Sequence, residues 1–239
     1  HARLLRQRSR DHDELTLEMV TDRERDYMYE MYATDRRMRL NVGIRRRLAP
    51  LMENDEDKIK LLNSLLLSMP GSPIIYYGDE IGMGDNIYLG DRSGMRTPMQ
   101  WSADRNAGFS VADCQQLALP PIRDSRYHYE TVNVANQLHD PSALLSWTRQ
   151  AVALRRQTPA LTDGSLEMLH PDNTKVLALL RHGADATVLV AANLSHRAQV
   201  AQLDLALEPF QRDLMAGKLL DLAPPRVQAL AQKTRHRFV

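Results

Sequence analysis

Residues 55–69, DEDKIKLLNSLLLSM, constrain the fold more than any other stretch of the chain. Acidic residues fill the first turn, where the helix dipole favours negative charge, and Ile59, Leu62, Leu66 and Met69 recur at helical spacing. Pro70 and Gly71 stop the helix, and SPIIYYG follows at once, an apolar run with proline at its edge and glycine just beyond. A helix leading straight into a short, wholly apolar segment is the pattern of a buried parallel strand covered on both faces. The spacing therefore predicts a helix over 55–69, a strand within 72–78, and an α/β layered arrangement around them.

On either side the pattern is weaker. TDRERDYMYEMYA reads as a solvated helix capped by Thr21, with Glu24 three residues on to complete a capping box. The run Arg45-Arg46-Arg47 admits a phosphate or nucleic-acid patch, but isolated charge runs usually line a solvated helix face, and that is the expectation here. Residues 78–130 have almost no periodicity and many Gly, Asp, Asn and Pro, yet they hold Trp101, Phe109, Tyr127 and Tyr129. A stretch of this kind is usually functional or disordered, and the aromatics predict a packed, ordered excursion. Residues 142–157 return to an amphipathic helix with basic residues in its last turn, ended by Pro159.

After Thr162-Asp163-Gly164 the texture changes. SLEMLH, KVLALLRH and TVLVAANLS are short and β-leaning, separated by the turn sequences PDNT and GADA. We expect a domain boundary near residue 160, with 1–160 forming the α/β part and 161–239 a small antiparallel β-sandwich. After about residue 205 the pattern fits strand, helix or neither.

Composition narrows the function classes. A hydrophobic fraction of 43% supports a packed core, and 31 Lys plus Arg against 30 Asp plus Glu give no field for wholesale nucleic-acid or membrane-surface binding. The single cysteine, Cys114, cannot form an internal disulfide and suits a reducing compartment. No apolar run approaches the roughly 20 residues that span a bilayer, and the first residues, HARLLRQRSRDHD, have no apolar stretch typical of a signal peptide. The expected setting is cytoplasmic. The chain begins with His1 and carries four arginines in its first ten residues without periodicity, which suggests a piece of a longer protein.

Three clusters have chemical potential. The first is Asp11-His12-Asp13-Glu14, either an exposed acidic turn or the rim of an active site where a strand ends. A metal site there is disfavoured, since adjacent side chains on an extended chain point to opposite sides. The second is GSPIIYYGDEIGMGDN, which places Asp79 and Glu80 just beyond the predicted strand, where they hold loop backbone more readily than they catalyse. The third is RTPMQW followed by DRNAGF, in which Arg96 beside an aromatic could pair with a carboxylate or hold sugar hydroxyls. His128, His139, His170 and His182 lack metal spacing, Cys114 lacks a thiolate-activating neighbourhood in sequence, and no GxSxG, P-loop or Rossmann glycine fingerprint occurs.

In this order and spacing, the three clusters resemble the α-amylase superfamily of glycoside hydrolases. RTPMQW with NAGF resembles its oligo-1,6-glucosidase-like branch. DHDELTLEMVTD, GDNIYLGDRSGMRTPMQWSADRNAGFS and YHYETVNVANQ are similar to the trehalose synthase family, with resemblance running from about residue 11 to about residue 200. The resemblance implies roughly the last two units of a (β/α)8 barrel followed by a C-terminal β-sandwich. It implies reversible isomerisation of maltose to trehalose by a retaining, two-carboxylate route, with no cofactor. Asp13 would hold the 2- and 3-hydroxyls of the reacting glucose. His12 would stabilise the transition state, Arg96 would sit at the pocket floor paired with an aspartate from elsewhere in the family's barrel, and Glu14 would join a gating salt bridge.

Departures matter equally. The family's nucleophile Asp and acid/base Glu lie on strands upstream of anything in this sequence, so the chain alone is expected to be inactive. Asp11 stands where Asn usually precedes the His-Asp pair, and basic RQRSR replaces the apolar strand expected there. The alternatives are an α-glucosidase or oligo-1,6-glucosidase-type hydrolase, and a non-enzymatic structural fragment. Maltose and trehalose are the expected small-molecule partners. A maltose kinase partner and a homo-oligomer stay open, the latter because two βα units leave strand edges exposed.

Overall fold

The computed structural model describes residues 15–203, 229–232 and 235–238. The chain forms two compact units, His1–Ile59 with Ile74–Trp147, and Lys60–Pro73 with Thr148–Val239.

In the first unit, β1 (Leu15–Thr16), α1 (Asp22–Tyr32), β2 (Arg39–Leu40) and β3 (Gly43–Ile44) make a small antiparallel sheet, in the order β1-β3-β2, beside one helix. The capping box forms as expected: the Glu24 amide donates to Thr21 Oγ1 at 3.3 Å and the Thr21 amide to Glu24 Oε2 at 2.9 Å. Leu17, Ala33 and Ile44 are fully buried, and Met28, Tyr29, Met38 and Leu51 pack on them. α1 itself buries no residue completely, as its charged sequence predicts.

The helix α2 (Glu56–Ser68) matches the expected position. Its burial falls on Ile59, Asn63, Leu65, Leu67 and Ser68, not on the single stripe Ile59–Leu62–Leu66–Met69. LLNSLLLSM is apolar almost all round, and such a helix has no single preferred face.

The expected parallel strand within 72–78 does not form. Residues 72–76 run without ladder partners, and Ile74 and Tyr77 are 45% and 38% exposed. A parallel strand exists only through neighbours on its edges, and every strand pair among the described residues is antiparallel and lies elsewhere.

Helix α3 (Leu144–Gln157) carries Arg155 and Arg156 in its last turn, and Pro159 opens a single further turn, Pro159–Thr162. The second unit then builds two antiparallel sheets. In the first, β4 (Ser165–Leu169), β5 (Val176–His182) and β6 (Thr187–Asn193) pair in sequence order, with Leu166 opposite Arg181 and Leu179 opposite Val190. In the second, β7 (Ala201–Leu203), β8 (Ala229–Gln232) and β9 (Arg235–Phe238) pair in the order β7-β9-β8.

Strand β5 is buried on both faces because it is central. Leu179 packs with Val190, Leu161, Met69, Leu166 and Val188 on one side. Ala178 packs with Leu203 of the second sheet, and with Leu169, Leu189 and Ala191, on the other. This is the antiparallel sheet-on-sheet arrangement that the β-leaning strings imply.

Two buried arginines complete this unit. Arg155 donates to the carbonyls of Leu67, Met69 (3.0 Å) and Gly71 (2.6 Å), and Arg181 donates to those of Ser68 and Gly164 at 2.7 Å each. The last carbonyls of α2 have no partner within the helix and form the negative end of its dipole, so guanidinium groups satisfy both needs. No helix among the described residues is long and apolar enough to cross a membrane.

Candidate functional site

The excursion predicted at 78–130 is irregular yet packed: Ile81, Met83, Met95, Met99, Ala107, Ile122 and Tyr127 are all buried. What holds it is the arginine run. The expectation of a solvated helix face for Arg45, Arg46 and Arg47 is wrong: Arg45 and Arg47 are 7% and 1% exposed. The run lies between apolar Ile44 and Leu48, both buried, so the backbone carries the arginines inward with its neighbours. Their apolar flanks were the signal that the charge run alone concealed.

Each arginine braces a different part of the excursion. Arg45 sends its guanidinium to the carbonyls of Ile87 (2.9 Å), Leu89 (2.6 Å) and Asp91, and its Nε to Arg37 O at 2.7 Å. A cation ringed by alternate carbonyls fixes a tight loop, which the Asn86 amide closes on Gly94 O at 2.9 Å. Gly94 is required there, since a Cβ would lie 2.2 Å from Asn86 O.

Arg46 Nε donates to both oxygens of Asp85, at 3.0 and 2.9 Å, and the Arg47 amide adds a third bond to Asp85 at 2.8 Å. Burial pushes the Asp85 carboxyl above its ordinary value, and Arg46 and Arg47 pull it back only in part.

Arg47 closes the first part of the excursion. Its Nη1 donates to Tyr77 O and its Nη2 to Met95 O at 2.7 Å, so one side chain ties together backbone 18 residues apart. Its guanidinium carbon lies 4.7 and 4.6 Å from the ring centroids of Tyr76 and Tyr77, a cation shared by two tilted rings whose own centroids are 4.7 Å apart. Asp79 Oδ1 stands 3.7 Å from Arg47 Nη1. Asp79 is buried, and Glu80 follows it in the same short turn.

Arg96 emerges from this framework with an exposed side chain. Its own amide donates to Ser93 O at 3.1 Å. The peptide carbonyl before it, Met95 O, is held by Arg47, and the Tyr77 hydroxyl donates to Thr97 O at 2.8 Å. Thr97 is fully buried and precedes Pro98, which narrows its backbone freedom further.

Beyond Arg96, the polar residues of the recognisable strings are also braces. Gln100, fully buried, donates from Nε2 to Tyr127 O (3.1 Å) and Val132 O. Asn133 caps the turn Val134–Gln137 by accepting from Asn136 N at 2.8 Å. Gln137 donates to Ile81 O at 2.9 Å. Asn106 and Ala107 both sit in the left-handed region (φ 55° and 61°), and Asn106 Nδ2 secures that turn by donating to Ser110 O and Ala112 O. Trp101 and Phe109 remain half-exposed beside it.

His12, Asp13 and Glu14 lie outside the described residues, so no distance joins them to Arg96. No group of three or more His, Cys, Asp or Glu side chains with metal-binding geometry occurs among the described residues. Cys114 is exposed.

Comparison with known proteins places this framework. Residues 40–164 match the model of the alpha amylase catalytic domain, and residues 166–219 that of the maltogenic amylase C-terminal domain. A trehalose synthase of Pimelobacter sp. (strain R48) is 56% identical over 200 residues, covering 82% of this chain and 35% of its own length. A trehalose synthase/amylase of Mycobacterium tuberculosis (strain ATCC 25618 / H37Rv) is 57% identical over 199 residues, covering 82% of this chain and 33% of its own. The crystal structure of an α-amylase from H. orenii matches with a TM-score of 0.58 at 20% identity, over 81% of this chain and 35% of that one, a likeness of fold alone. The chain thus spans about a third of the length of these curated relatives. Its fold is part of the amylase-type barrel domain followed by the smaller β-domain, and the chain belongs to the α-amylase family.

Proposed function

We propose that this chain is part of a trehalose synthase and supplies the sugar-holding side of the pocket that interconverts maltose and trehalose. The observation that carries the reading is identity of 56% over 200 residues to a trehalose synthase. The brace around Arg96 supports it, because a guanidinium carried on a rigidly held backbone suits recognition of hydroxyls or a carboxylate.

In the retaining mechanism a carboxylate nucleophile traps glucose while an acid releases the other sugar, which turns and attacks again. Asp13 would grip the 2- and 3-hydroxyls and tighten as the ring flattens, with His12 beside it and Glu14 in a gating pair. Arg96 would hold its aspartate partner at the pocket floor. No residue of this chain takes the nucleophile or acid/base role, so the 239 residues alone should not turn over maltose. The division of labour follows a boundary near residue 160, a placement supported by family matches that end at 164 and resume at 166.

The test is product analysis from maltose, using the purified chain alone and the chain co-expressed with the complementary two-thirds of a related trehalose synthase. Trehalose is expected only from the pair. Glucose without trehalose would replace the isomerase with a hydrolase of the same branch, and trehalose from the chain alone would overturn the assignment of the missing carboxylates. Sedimentation of the same samples reads any self-association, and added maltose kinase reads that partner.

A further inference from the structure

We propose that Tyr77 and Arg47 are positioning residues for Arg96, an inference that rests on the pocket role just given to Arg96. Three bonds converge on the backbone around it. Arg47 Nη2 holds Met95 O at 2.7 Å, the Tyr77 hydroxyl holds Thr97 O at 2.8 Å, and the Arg96 amide is tied to Ser93 O at 3.1 Å. Arg47 also meets Tyr77 directly, since its Nη1 donates to the Tyr77 backbone carbonyl and its guanidinium carbon lies 4.6 Å from the Tyr77 ring centroid.

The consequence is directional. Met95 O belongs to the peptide group that enters Arg96, and Thr97 O to the peptide group leaving the next residue. With both held, the backbone that carries Arg96 is anchored on each side within two peptide groups of its Cα. Thr97 is fully buried and Arg47 is 1% exposed, while Arg96 is exposed. The fold encloses the frame and presents the guanidinium. A loop braced only for stability has no need to anchor the backbone both before and after an exposed residue.

Tyr77→Phe removes one hydroxyl and keeps the ring that covers Arg47, so it separates positioning from folding. The experiment records the Nε–H resonances of arginine in the full 239-residue chain, with the Arg96 signal assigned by its loss in Arg96→Lys, and adds maltose as the probe. The expected result is an Arg96 signal that responds to maltose in the parent chain and is shifted or broadened in Tyr77→Phe. The maltose midpoint should rise roughly fivefold, the ratio a single neutral hydrogen bond carries. Amide signals of β4–β6 should stay in place. An Arg96 signal and a maltose midpoint both unchanged by Tyr77→Phe would overturn the proposal. A signal moved by Tyr77→Phe but indifferent to maltose in the parent would leave positioning intact and remove the sugar-binding reading instead. Arg47→Lys is the second variant: it lacks the planar fork whose two nitrogens meet the two carbonyls, and it should displace the same signal further.

Discussion

Arg46 and Asp85 form a forked pair, Nε lying 3.0 and 2.9 Å from the two carboxylate oxygens, with the Asp85 side chain 3% exposed and that of Arg46 14%. Even so, burial outweighs the arginines and raises the Asp85 pKa. Between the unfolded carboxylate value near 3.9 and the raised folded value, the folded chain holds more protons than the unfolded one. This group's contribution is therefore present below the unfolded pKa and declines as pH rises through the folded pKa. Urea midpoints of the parent and Asp85→Asn, measured across the acid range, should diverge in that direction. A parent-minus-variant difference that grows with pH would contradict the raised pKa.

Asp35 behaves oppositely at the surface. The Arg37 side chain and amide donate to its carboxylate and lower its pKa to about 2. An NMR titration should find that midpoint, and Arg37→Ala should return it toward the ordinary carboxylate range. Because the pair is exposed to solvent, salt should do part of the same work. Any stability it contributes is present above the unfolded pKa and fades as pH falls through about 2. An unchanged Asp35 midpoint in Arg37→Ala would exclude this origin.

Arg47 is the point where the excursion at 78–130 is most vulnerable. Replacing it by Met keeps length and packing against Tyr76 and Tyr77 but leaves Tyr77 O, Met95 O and buried Asp79 without their cation. Breaking a buried pair from one side typically costs about 3–5 kcal/mol. A urea titration of Arg47→Met should show a loss of that order, whereas Arg36→Met, at an exposed position, should fall within about 0.5 kcal/mol of the parent.

These contrasts show what was legible in the sequence. Thr21 with Glu24, the helix near 55–69 and the three β-leaning strings each carry a local signal, a cap, a period or an alternation, and each forms where expected. Arg45–Arg47 and the apolar run at 73–77 were misread for one reason: burial of a charge and pairing of a strand depend on distant partners. Arg47 is buried because Tyr76, Tyr77 and the Met95 carbonyl, 29 to 48 residues away, close around it. Ile74 and Ile75 are apolar enough for a strand, but a parallel ladder needs adjacent strands that a local pattern does not contain. Arg96 was legible as a candidate from the string RTPMQW. Its braces were not, since Arg47 and Tyr77 meet it only through backbone carbonyls, which carry no sequence signature.

Arg155 and Arg181 both donate to carbonyls at the end of α2. Arg181 is fully buried, donates to Ser68 O and Gly164 O, and has no carboxylate among its hydrogen-bond acceptors. Burial pulls its pKa down, with Arg155 nearby acting in the same direction, yet a guanidinium stays protonated throughout the working pH range. The acceptors are therefore chosen for their dipoles, and the end of a helix is the strongest cluster of carbonyl dipoles on offer. Arg181→Met should strand two carbonyls, each worth about 1–3 kcal/mol when buried without a partner. Relief of repulsion with Arg155 offsets part of that, so the net loss should sit near the lower end of the sum. Hydrogen exchange supplies the finer readout: protection should fall in the last turn of α2 and in β5 first, while the amide of Leu17, bonded to Val42 O at 3.1 Å, keeps its rate. Equal loss of protection at Leu17 and in β5 would mean that Arg181 supports the whole chain rather than this helix end.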